Sequence, residues 1–364
     1  MKGFGTQAEA GMDAVEDRKQ AVEFDGVEYK ETQVGVGGRS RPPSSLPRRA
    51  GDTVQVERTA AAAPVPVTPA TSSGDGLTPA MTLGTLSYGF AEDTNERYRR
   101  TNEDGHKFIF GFAGRADDMF FAIYDGHGGR EAVSEVERRF HEVFAEELSR
   151  ERQAVEGASG SSAASPPLSL ERTRYPERCF QRAYARMDSE LETQRCLYVG
   201  STSITCLLRR DEKDGRRYLH TANAGDSRAI LVRRDGNALR LSYDHKASDE
   251  NEARRVSDSG GFVVCHRVLG VLAVSRAFGD FAMKHVVISE PFTSTHVIEE
   301  GVDTHVVLAC DGLFDVLSDE QVAQMILSDT RMRENAQYAA ERLVRRALED
   351  GSTDNVSCLV VKLD

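Results

Sequence analysis

Four aspartates stand where apolar runs begin or end. Asp125 follows Phe120-Phe121-Ala122-Ile123-Tyr124, Asp226 follows Asn223-Ala224-Gly225, Asp311 follows Val306-Val307-Leu308-Ala309-Cys310, and Asp354 opens the run that starts at Val356. Taken singly, each fits turn chemistry, because Asp-Gly pairs and strand ends favour Asp. Taken jointly they mean more: rigid strands can converge acids from distant sequence on one point, where like charges repel and raise one another's pKa. Such a cluster calls for cations. Oxygen-only donors without a His/Cys set suit the hard ions Mg²⁺ or Mn²⁺ rather than Zn²⁺. Two such ions about 3.5–4 Å apart can generate hydroxide and clamp both ends of an in-line displacement at phosphorus. The chemistry indicated is phosphoester hydrolysis, and a two-metal nuclease fits the carboxylates equally well.

The elements that must hold these acids are legible from about residue 81. Strands are expected at 85–92, 107–114, 118–125, 201–210, 217–224, 227–234, 304–311 and 355–363, each rich in β-branched or aromatic residues. Helices are expected at 129–149, 177–194, 249–259, 319–328 and 334–349, the last with Ala336, Ala339, Ala340, Leu343, Ala347 and Leu348 at helical spacing. The Ser/Pro/Gly stretch at 156–171 reads as an exposed insertion. Asp235-Gly236 joins two strand-like runs as a hairpin. Sequentially adjacent strands favour antiparallel sheets with helices packed outside over a regular βαβ alternation.

Residues 1–80 differ in kind. Pro42, Pro43, Pro47, Pro64, Pro66, Pro69 and Pro79 fall there among Ala, Ser and Gly, with too few large apolar side chains to offset chain entropy. A flexible tail is expected. Asp25-Gly26 could turn a short hairpin within it, and Arg39, Arg41, Arg48 and Arg49 form a basic cluster that reads as solvated linker charge or an import patch.

Composition removes other classes. Lys and Arg number 46 against 58 Asp and Glu, a net charge of −12 that argues against an electrostatic nucleic-acid binder. Six cysteines without a CxxC favour neither a disulfide framework nor a thiolate zinc site, so a reducing, intracellular, cytoplasmic or nuclear setting is expected. No apolar run approaches the about 20 residues of a membrane span, and the first residues resemble neither a signal peptide nor a myristoylation site.

Three strings narrow the chemistry: Arg99-Arg100-Thr101-Asn102-Glu103-Asp104, then Tyr124-Asp125-Gly126-His127-Gly128-Gly129, then Cys310-Asp311-Gly312-Leu313-Phe314-Asp315. In that order, with ANAGDSRAIL, GVLAVSRAFGD and GSTDN between and after them, they resemble the metal-dependent protein phosphatase family, the protein phosphatase 2C class of Ser/Thr phosphatases. The resemblance runs from about residue 83 to the C-terminus. It implies an α+β fold, a central β-sandwich of two antiparallel sheets flanked by α-helices, with residues 81–364 as the catalytic domain. It further implies that Asp125 bridges two Mg²⁺ or Mn²⁺ ions with the Gly126 carbonyl on one of them, that Asp311 and Asp354 hold the first ion, that Glu103 orients water on the second, and that Asp104 steadies a metal-bound water.

By the same resemblance Arg99, four residues before Glu103, grips the substrate phosphate, a role suited to the paired donors of a guanidinium. His127 takes the place of the general acid. Asp226 and Asp315 match a third, weaker metal site. Ser275-Arg276 and Gly279-Asp280 read as structural support near a movable flap, and Cys310 as a buried, inert thiol. The expected reaction is direct attack of a metal-bridged hydroxide on phosphoserine or phosphothreonine of protein substrates, by a monomer. The rival reading is a catalytically silent phosphoprotein-binding scaffold, whose usual sign, a lost ligand, is not seen. Leu269, Val199 and Phe314 depart from the residues common in the family, Asn, Ser and Trp, and leave flap conformation and substrate choice open.

Overall fold

Every residue of the run Met119–Tyr124 is apolar or aromatic and buried. A strand covered on one face alternates in polarity and one covered on both does not, so this strand needs protein on each side. The computed structural model, which describes residues 86–158, 168–193, 196–212 and 214–363, supplies it. One antiparallel sheet has the order β1 (Ser87–Asp93), β15 (Val356–Lys362), β14 (Asp303–Ala309), β8 (Arg228–Arg233), β9 (Ala238–Arg240). A second has the order β13 (Phe292–Val297), β7 (Arg217–Ala224), β6 (Ser203–Arg210), β3 (Met119–Tyr124), β2 (Gly105–Phe110).

Three cores follow from these faces. Between the sheets, Phe121, Ile123, Ile204 and Cys206 of one meet Leu231, Val306, Leu308 and Leu359 of the other. Phe120 and Tyr124, one residue along, point the opposite way and pack on Phe140 and Phe144 of α1 (Glu131–Ala158) and Phe180 and Tyr184 of α2 (Leu168–Glu192). On the far side Ile230, Val307 and Val360 pack on α5 (Asp319–Ser328) and α7 (Ala336–Glu349), whose expected stripe of Ala336, Ala339, Ala340, Leu343 and Ala347 is buried. Burying each large side chain contributes about 1.5–3 kcal/mol, so the strands that carry the acids are held from both faces. The sandwich flanked by helices agrees with the sequence reading.

Smaller elements complete the chain. A three-stranded sheet, β12 (Phe278–Gly279), β5 (Gly200–Ser201), β4 (Gly126–His127), closes one end, and a hairpin pairs β10 (Val263–Val264) with β11 (Arg267–Val268). Helices α3 (Glu250–Asp258), α4 (Asp311–Phe314) and α6 (Thr330–Glu334) lie between strands and longer helices.

Some expectations change. α1 runs to Ala158 and α2 starts at Leu168, so both ends of the stretch expected as loop are helical, and Pro176 lies inside α2. Proline lacks the N–H donor and ordinarily interrupts a helix; here its ring is buried, and the Phe180–Phe144 stack, centroids 4.0 Å apart, holds the helix beyond it. Phe112–Gly114, expected as strand, is a 3₁₀ turn with Ala113 at φ 52°. β13 is a mostly polar run that sequence reading passed over; it forms by pairing as an edge with β7. The β8–β9 hairpin at Asp235-Gly236 forms as expected. Residues 1–80, the Asp25-Gly26 hairpin, the arginine cluster and the boundary at 81 lie outside the described residues.

Candidate active site

Register brings the acids to one rim. β2 pairs β3 with Gly105 opposite Tyr124, so Asp104 and Asp125, the next residues outward, face each other. β14 pairs β8 with Ala309 opposite Arg228, which sets Asp311 and Asp226 each two residues beyond the same rung. β14 also pairs β15, with Ala309 opposite Cys358, and Asp354 precedes β15 on that side. Ligand atoms of Asp104, Asp125 and Cys310 lie within 4.8 Å of one another.

The electrostatics match this crowding. Asp125 keeps a partial opening to solvent, yet loss of water around its carboxyl, then the charges of Asp104, Asp311, Asp226 and Asp354, push its pKa well above the carboxylate range. Burial raises Asp104 to about 6, an effect the neighbouring Ser357 and Cys310 side chains partly oppose. Asp311 is also pushed well up, by burial and then by Asp226, Asp315 and Asp354. Asp104 Oδ2 is buried without a hydrogen-bond partner among the described residues. An unpaired carboxylate oxygen among mutually repelling acids is a donor set that fits hard divalent cations. Cys310 does not join it as a nucleophile: its Sγ donates to Asn355 O at 3.4 Å and accepts from Ser357 N at 3.2 Å, and burial raises its pKa well above the usual thiol value.

Arg99 stands at the lip. Its Nη2 donates to Asp354 Oδ2 at 2.5 Å and its Nε to Thr353 O at 3.3 Å. Among the described residues Arg100 makes no such pair. Glu103 Oε2 accepts from Gly129 N at 3.2 Å, while its own N donates to Asn355 Oδ1 at 2.9 Å. Gly126 is forced to be glycine by close approach: a Cβ there would sit 2.5 Å from Glu103 O and 2.6 Å from Val133 Cγ2. His127, half-buried, places Nε2 2.7 Å from Asp280 Oδ2.

Asp226 and Asp315 also converge, but around a side chain the sequence reading did not single out. Lys246 Nζ lies 2.5 Å from Asp315 Oδ1 and 4.0 Å from Asp226 Oδ2. Burial lowers the ammonium pKa, but these carboxylates outweigh it and raise the value. Asp226 itself is raised to about 6 by burial, against the opposing charge of Lys246. Asn355 and Arg130 were passed over as well. Asn355 Nδ2 donates to Thr94 O and Thr101 O at 2.8 and 3.0 Å, and Arg130 Nη1 donates to Asn102 O and Asp104 O at 2.7 and 2.6 Å. Together they hold the loop that carries Arg99 and Glu103. Asn355 completes the quoted GSTDN string, whereas nothing in sequence spacing marks Arg130 or Lys246.

An antiparallel sandwich with acids gathered at one rim and an arginine over them defines the class, and the comparisons agree. The family model described as Protein phosphatase 2C matches residues 88–356. The chain is 39% identical over 275 residues to Protein phosphatase 2C homolog 1 of Schizosaccharomyces pombe, covering 76% of this chain and 72% of that protein. It is 36% identical over 290 residues to Protein phosphatase 2C homolog 1 of Saccharomyces cerevisiae, covering 77% and 94%. The solved serine-threonine phosphatase 2C from Toxoplasma gondii shares the fold, with a TM-score of 0.62 at 21% identity over 78% of this chain and 96% of that one. The chain belongs to the protein phosphatase 2C family and, by that membership, is a serine/threonine protein phosphatase.

Proposed function

We propose that this chain hydrolyses phosphoserine and phosphothreonine monoesters on proteins with Mg²⁺ or Mn²⁺ as cofactor, acting as a monomer with residues 81–364 as its catalytic unit. The observation that carries this reading is the gathering of Asp104, Asp125, Asp311 and Asp354 with too little positive charge among them. Those four, with Glu103 and the Gly126 carbonyl, would hold two ions, and Asp226 and Asp315 a weaker third. When bound, the ions supply a water-derived nucleophile at neutral pH and neutralise the equatorial oxygens of the phosphate.

The remaining roles fall to this chain's own side chains. Arg99 spends Nε and Nη2 on Thr353 and Asp354, which orients its other donors over the hollow to grip phosphate oxygens. Asp354 thereby fixes the arginine as well as serving the ions. His127 gives its proton to the departing Ser or Thr oxygen, a step worth about 10²–10⁴-fold where the leaving group is a poor one. Asn355 and Arg130 touch no substrate; they fix the backbone from which Arg99 and Glu103 project.

The test is hydrolysis of a phosphopeptide by purified protein with Mn²⁺, together with calorimetric titration of Mn²⁺. Activity should vanish on chelation. Asp125→Asn should lose both turnover, by several orders of magnitude, and tight Mn²⁺ uptake. Activity that survives EDTA, or Mn²⁺ uptake unchanged in Asp125→Asn, contradicts the reading. Retention of every acid counts against the silent-scaffold alternative.

A further inference from the structure

The ring of His127 is not free to turn. β4, which carries it, pairs with β5 so that His127 lies opposite Gly200, and β5 pairs with β12, so that Gly279 lies opposite Gly200 from the other side. Asp280 is the residue directly after β12. It is 1% exposed, and its backbone is left-handed, φ 52° and ψ 40°, a conformation that Asp tolerates better than most residues. That turn folds its carboxylate back over β5, where Oδ2 meets His127 Nε2 at 2.7 Å.

The contact passes directly over Gly200. A Cβ at that position would stand 2.2 Å from Asp280 Oδ2 and 2.4 Å from His127 Nε2, so the absence of a side chain at 200 is what lets the two groups meet. The backbone that carries the acid is itself held. Asp280 N donates to Val199 O at 3.1 Å, Gly279 N donates to Asp188 Oδ1 at 2.9 Å, and Lys284 Nζ donates to the same Asp188 oxygen at 3.0 Å. Asp280 Oδ1 is buried with no partner among the described residues, so the hydrogen bonding of this carboxylate is directed at the histidine. His127 Nδ1, on the other side of the ring, makes no hydrogen bond among the described residues, and the ring keeps 24% of its side-chain exposure.

We propose that Asp280 is a positioning residue for the phosphatase reaction: by accepting from Nε2–H of His127 it fixes the ring so that Nδ1 is the nitrogen presented to the leaving oxygen. This rests on the general-acid reading of His127 and adds the residue that aims it. In the step concerned, the ester P–O bond breaks, its electron pair stays on the Ser or Thr oxygen, and the proton on Nδ1 passes to that oxygen. The Asp280 carboxylate does not exchange a proton; it faces the positive ring and keeps it from rotating, as buried carboxylates do for other catalytic imidazoles.

A purely structural ion pair would hold β4 to β12 and treat every substrate alike. An aiming role would not. The experiment compares p-nitrophenyl phosphate, whose leaving group departs as a stable anion, with a phosphothreonine peptide, whose alkoxide needs a proton. Wild type, Asp280→Asn, His127→Gln and the double variant are assayed with Mn²⁺, and thermal unfolding checks that each is folded. Asp280→Asn, which keeps a left-handed-tolerant residue and an acceptor oxygen but loses the charge, should lower kcat on the peptide about tenfold with little change on the aryl phosphate. His127→Gln should show the same selectivity with a larger loss, about 100-fold or more. The double variant should be no slower than His127→Gln alone.

Gly200→Ala, which retains both residues but drives their side chains apart, should reproduce the selectivity of Asp280→Asn, and it serves as the test should that variant not fold. Equal losses on both substrates in Asp280→Asn, or effects of the two single variants that multiply in the double, would overturn the proposal. Should His127→Gln slow both substrates alike, the general-acid reading itself fails; the coupling is then judged on whether the two variants multiply.

Discussion

The acid cluster should make the metal-free protein less stable as pH rises. Asp104 carries the clearest number: burial lifts its pKa from 3.8 to about 6. A carboxyl whose pKa is higher in the folded state than in the unfolded chain binds its proton more tightly when folded. Stability is therefore greatest below about pH 4 for this group and is lost as pH climbs through about 6. Each pH unit between the two values is worth about 1.4 kcal/mol, so an ionised Asp104 costs the metal-free fold about 3 kcal/mol at pH 7. Asp125 and Asp311, both pushed up, add to the loss in the same direction. The perturbation is Asp104→Asn, which keeps size and shape while removing the charge. In EDTA the variant should melt higher than wild type at pH 7.5, by several degrees at about 2–4 °C per kcal/mol, and the difference should shrink toward pH 5. Adding Mn²⁺ should reverse the ranking, because cations offset the repulsion in wild type and find a poorer site in the variant. The assay is differential scanning calorimetry at pH 5 and 7.5, with EDTA and with Mn²⁺. A chelated wild type equally stable at both pH values, or an Asp104→Asn protein that is less stable in EDTA at pH 7.5, refutes the account of the hollow as an uncompensated acid cluster.

Other outcomes follow from the same geometry. Arg99→Ala should raise KM for a phosphopeptide by about 10- to 100-fold, the loss of charge-assisted donors to phosphate; an unchanged KM would remove Arg99 from substrate binding. Lys246→Met frees the Asp226–Asp315 pair that the ammonium now neutralises, so calorimetry should detect tighter uptake of the weakest-bound Mn²⁺, and unaltered titrations would show that the lysine does not compete for that position. Deletion of residues 1–80 should leave kcat on p-nitrophenyl phosphate within about twofold, since the strands and acids described all lie beyond it; a collapse of activity would make the segment part of the catalytic unit.

Local chemistry made much of this protein readable before folding was considered. The strand over 119–124 announces itself because both its faces are covered, so it is an unbroken apolar run, and 356–362 is nearly one, interrupted by Ser357 and ended by Lys362. The stripe of α7 declares one buried face by its 3.6-residue period. The acids were legible as candidates because strand ends are where a buried backbone reaches solvent, and their ordered strings identified the family. Less was readable where a residue's meaning depends on a distant partner. The helix expected from 177 starts instead at Leu168 with Pro176 inside it, and the packing of α2 on α1 holds it across the proline. β13 has no apolar pattern of its own, being an edge specified by the pairing offered by β7. Lys246 is 20 residues from Asp226 and 69 from Asp315 in sequence, and only the meeting of three segments makes it their counter-charge. Asp280 lies 153 residues from the histidine it holds. Side-chain type and spacing travel with the chain and so can be read from it. Which nitrogen of a ring is anchored, and which carboxylate is left without a partner, depend on contacts that exist only after the two sheets and the small three-stranded sheet have closed.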